Sequence, residues 1–72
     1  MSLLISSIKE QAKAVLVEKL GQEPTDQALN GTVGNALSPV ISHMQQGGKL
    51  YEIDAIIHYS YQRWLERGWY PH

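Results

Sequence analysis

The sequence predicts an all-α fold: a small three-helix bundle, its middle helix kinked or split near Ser38-Pro39, completed by dimerisation. Three observations carry that expectation. Glycine and proline punctuation at Gly21 to Pro24, at Gly47-Gly48 and from Gly68 onward cuts the chain into three segments of helical length. Each segment repeats its apolar residues at three- and four-residue steps. The chain has only 72 residues, so it buries a modest share of its surface and has reason to borrow a second one.

Helix one is expected over about 3–20. Leu4, Ile5, Ile8, Ala12, Val15 and Leu16 share a face, and Gly21 stands where a left-handed C-terminal cap belongs. Helix two is expected over about 25–46. Thr25 is its N-cap candidate, and Asp26 meets the positive end of the helix dipole. Its stripe is Leu29, Val33, Leu37, Val40, Ile41 and Met44, interrupted by Pro39. A proline there removes one backbone hydrogen bond and crowds the carbonyl of Asn35, while Ser38-Pro39 also reads as a cap followed by a first helical residue. A kink or two short helices meeting near Ser38 is therefore expected. Gly31, Gly34 and Ser38 sit on neighbouring faces of this segment, and a weak, frayed stretch is the expected reading, with close approach of another helix backbone over the small residues as the alternative.

Helix three is expected over about 49–67. Leu50, Ile53, Ile57, Tyr61, Trp64 and Leu65 fall in a sector of about 100°, the width of a core-facing stripe. Gly68 stops it, leaving the aromatic tail 68–72. No repeat, low-complexity tract or charge block interrupts the chain, which is read as one helical domain over 1–72.

Composition removes several function classes. With no cysteine there is no disulfide scaffold, no thiol nucleophile and no cysteine zinc site. Six Lys plus Arg against seven Asp plus Glu give a net charge of −1, and the stretch Thr25 to Gln46 holds no Lys or Arg. A recognition helix without cations forgoes most phosphate attraction, so nucleic-acid binding is disfavoured. The apolar start lacks a basic region and runs straight into helical periodicity, and no apolar run approaches the roughly 18 residues of a membrane span. A cytoplasmic protein is the resulting expectation.

Candidate chemistry is thin. Asp54 and His58 are one turn apart and able to touch, which is half of a metal or general-base arrangement, yet His43, His72, Glu52 and Glu66 are loosely placed additions. Gly47-Gly48-Lys49 offers backbone N–H groups to an anion but lacks the remainder of a phosphate loop, and a glycine cap with a tight turn is the expected reading. No cofactor and no metal site is expected, and no nucleophile, base and orienting group assemble into a catalytic set.

The aromatic residues are lopsided. Tyr51, Tyr59, Tyr61, Trp64, Trp69 and Tyr70 all lie in the final third, and no aromatic precedes them. Tyr61 and Trp64 are expected in the core; Tyr59 points away from it, Ile56 lies off the stripe, and Trp69 and Tyr70 follow the helix end. The expected function is a non-enzymatic protein-interaction module, an adaptor or small inhibitor, that binds itself as a homodimer or a larger protein. Its partner-binding residues are Ile56, Tyr59, Arg63, Arg67, Trp69 and Tyr70. The competing class is a small dimeric DNA-binding regulator.

Overall fold

The computed structural model describes residues 3–67, and the expectations for Trp69 and Tyr70 lie outside them. Among the described residues the chain is entirely helical: α1 (Leu3–Leu20), α2 (Asp26–Gln45), a 3-10 turn (Leu50–Glu52) and α3 (Asp54–Arg67). The expected ends are capped as their sequences suggest. Gly21 has φ +74°, and its N–H donates to the Val17 carbonyl at 2.8 Å, the left-handed cap that closes α1. Thr25 Oγ1 accepts from the Ala28 N–H at 3.1 Å and so satisfies one of the open donors of α2. At the other end Gly47 (φ +92°) donates to Met44 and Gly48 donates to His43, the paired bonds of a Schellman cap.

Two boundaries differ from the sequence reading. α2 runs as one helix through Ser38-Pro39, so the two short helices do not form. Pro39 removes only its own donor, and the core holds the chain on both sides of it through Ala36 and Val40, each fully buried. Helix three does not begin as an α-helix at residue 49. The Glu52 carboxylate reaches back to the Lys49 N–H at 2.8 Å, which closes a tight 3-10 turn before Ile53 hands over to α3.

The core is built from Ile8, Ala12, Val15 and Leu16 of α1, Ala28, Leu29, Val33, Ala36 and Val40 of α2, and Ile53, Ile57 and Tyr61 at and along α3. Leu4, Leu37, Leu50, Ile56 and Trp64 pack against it from the margin. Ile5, Ile41, Met44 and Leu65, all placed on core stripes by their spacing, are exposed instead. Ile5 occupies the first turn of α1 and Leu65 the last turn of α3, and Ile41 and Met44 lie outside the sector of α2 that buries Ala28, Thr32, Ala36 and Val40.

Trp64 shows why small residues punctuate α2. A Cβ built on Gly31 would fall 2.9 Å from Trp64 Cγ, and closer still to Cδ1 and Nε1, so the indole lies directly on the glycine. Tyr61 supports it from the other side, with ring centroids 6.0 Å apart and an interplanar angle of 27°. Gly31 is thus neither in a frayed stretch nor under another helix backbone: the close contact over it is made by a side chain.

Candidate functional site

The buried side of α3 fixes which residues it offers outward. Ile53, Ile57, Ser60 and Tyr61 are buried and Trp64 is half-buried, so the inward face is turned towards Ser60 and away from Leu65. Leu65 is consequently 55% exposed, and Asp54 is exposed as well. Ile56 moves the other way. Expected off the stripe, it is half-buried and touches the core margin.

Ile56, Tyr59, Arg63 and Arg67 follow one another at steps of three and four, so they share one side of α3 within a sector of about 80°. Tyr59 is 57% exposed. Arg63 donates from Nη1 to the Tyr59 hydroxyl at 3.1 Å, and its guanidinium carbon lies 5.6 Å from the Tyr59 ring centroid. The hydrogen bond and the cation–π contact together hold a long side chain that would otherwise sweep a wide volume. Arg67 is exposed one turn further on. Four of the six expected partner-binding residues therefore form a strip, and within it Tyr59 and Arg63 are in contact.

Other sequence candidates come apart. Asp54 and His58 are both exposed, and no hydrogen bond or ion pair joins them among the described residues. No group of three or more His, Asp or Glu is placed to hold a metal among those residues. The anion nook at Gly47-Gly48-Lys49 is used by the chain itself. Glu52 Oε1 accepts from the Lys49 N–H and lies 3.2 Å from His43 Nε2, which is also 3.2 Å from the Lys49 carbonyl oxygen. The His43 ring covers Gly48, where a Cβ would meet it at 2.5 Å from Cδ2 and closer at Cε1 and Nε2. This clasp joins the end of α2 to the start of the next helical turn.

A shallow cleft of about 430 Å³ lies beside the Trp64 indole, lined by Gln27, Asn30 and Gly31. Periodicity alone does not reveal it, although an internal helical glycine and a tryptophan at a stripe margin are its two sequence signals. Thr32 and Ser60, both fully buried with hydroxyls lacking a hydrogen-bond partner among the described residues, were also missed, because small polar residues leave no mark on an apolar pattern. Compared with known proteins, the chain matches no family model, no curated sequence and no solved structure at a significant level.

Proposed function

We propose that the chain is a non-enzymatic protein-interaction module, an adaptor or small inhibitor, that docks through the outer side of α3 and the aromatic residues after it. The observation that carries this reading is the Tyr59–Arg63 pair, an exposed aromatic ring and a guanidinium held together beside the half-buried Ile56. Aromatic and arginine side chains supply most hot spots, and one that is already ordered loses less freedom on docking. Trp69 and Tyr70 extend the same aromatic composition along the sequence. The occupant is a second copy, which would complete the core as a homodimer, or a larger protein. No helix among the described residues is long and apolar enough to cross a membrane, which supports action in an aqueous compartment, the cytoplasm in this reading.

Light scattering on the wild type, Tyr59→Ala and Trp69→Ala tests the self-association arm. A mass near twice the 8.1 kDa protomer that falls to one protomer in the variants, with helical circular dichroism intact, is the expected signature of a dimer through this face. One protomer at every concentration removes the homodimer. Retention of native partners by the wild type but not by Tyr59→Ala would then carry the larger-protein arm, and equal retention by both would overturn the reading.

A further inference from the structure

We propose that the Ile56–Tyr59–Arg63–Arg67 strip docks an acidic segment of a different protein, whose carboxylates meet the two guanidiniums while an apolar side chain covers Ile56 and the Tyr59 ring. The inference rests on the interaction-face reading above and names the chemistry of the occupant.

Charge is the first argument. At 100° per residue Asp54 lies on the opposite side of α3 from Arg63, and Glu66 stands about 60° round from it and about 20° beyond Tyr59, so the strip carries two cations with one carboxylate at its Tyr59 border. The ion pairs among the described residues are Lys13–Glu23 and His43–Glu52, and neither draws on Arg63 or Arg67. A chain with net charge −1 thus presents a local positive strip.

Geometry is the second. The Tyr59 hydroxyl takes one Nη1 donor of Arg63, and the remaining N–H groups of the planar fork suit the two oxygens of a carboxylate. Arg67 follows at i+4, with Cβ atoms about 6 Å apart, a spacing that matches acidic residues on successive turns of a partner helix.

Magnitude separates the occupants. Duplex DNA binding commonly draws on about six to ten phosphate contacts, whereas this strip offers two guanidiniums on a net-negative chain. A second copy laid strip on strip about a two-fold axis would bring like charges together. A short acidic protein segment satisfies both constraints.

The test is an NMR titration of the isotope-labelled full chain with a helical peptide carrying Glu on two successive turns beside Leu, and with its Gln counterpart. Shift changes confined to residues 56–67 are expected, with the Glu peptide binding about tenfold tighter at low salt. That preference should vanish in the double variant R63Q/R67Q and persist in K9Q/K13Q, each with a native-like spectrum. Equal binding of the two peptides at the strip would overturn the acidic assignment and leave the interaction face standing. Preference that survives R63Q/R67Q overturns it too, as does displacement of the Glu peptide by an equal concentration of duplex DNA. Shifts at 56–67 that follow chain concentration without peptide would assign the strip to a second copy instead. If neither peptide moves any resonance of the strip, the acidic assignment fails, and the retention comparison of wild type with Tyr59→Ala decides the broader reading separately.

Discussion

Gly31 is where the choice of one residue has the clearest mechanical reason. Alanine is favoured over glycine by about 1 kcal/mol inside a helix, yet the Trp64 indole occupies the space a methyl group would need. Gly31→Ala is expected to lose about 1–3 kcal/mol in urea unfolding, because the ring must leave its rotamer and its stacking on Tyr61. The opposite sign is expected at Thr32, whose hydroxyl is fully buried without a partner. Thr32→Val keeps the shape and should gain about 1 kcal/mol. A clear loss in that variant would show that the hydroxyl is bonded. Spacing made Tyr61 and Trp64 legible as inward residues, since both repeat on the Ile53 and Ile57 stripe. It left Ser60 and Thr32 illegible, because their burial follows from how closely α2 and α3 approach and not from their own polarity.

The helices themselves were largely written in local chemistry. Thr25, Gly21 and Gly47 mark ends because caps act within a few residues of the chain, and each makes the bond its position calls for. Pro39 does not divide α2 into two helices, because the rule against interior proline weighs one lost hydrogen bond, while burial of Ala36 and Val40 acts on both flanks at once. Pro39→Ala should restore a donor to the Asn35 carbonyl and raise stability by about 1–2 kcal/mol, net of the looser unfolded chain, as read from the urea midpoint. The 3-10 turn before α3 depends on one carboxylate. Glu52→Ala removes the acceptor for Lys49 N–H and the neighbour of His43, with an expected cost of about 1 kcal/mol and faster amide exchange at Lys49. The rotation of α3 that brought Ile56 in and turned Leu65 out was not visible in α3 alone, since the partner helices set it.

At the scale of the molecule, the described chain has a radius of gyration of 11.3 Å, close to the roughly 11 Å of a compact domain this size. The described residues therefore pack as densely as a small domain, with Ile5, Ile41, Met44 and Leu65 left exposed on its surface. Among the described residues twelve buried apolar side chains hold it, so its margin is small. Its melting midpoint should rise when the acidic peptide is added, as linkage requires. A midpoint that climbs with protein concentration alone would point to a second copy. The indole resting on Gly31 has an optical consequence. With Trp69→Phe the chain keeps a single indole, seated where two helices touch, and the colour of its emission then gauges their separation without any label. Denaturant should redden that emission as the helices part, and a guest on the outer side of α3 should leave it unchanged.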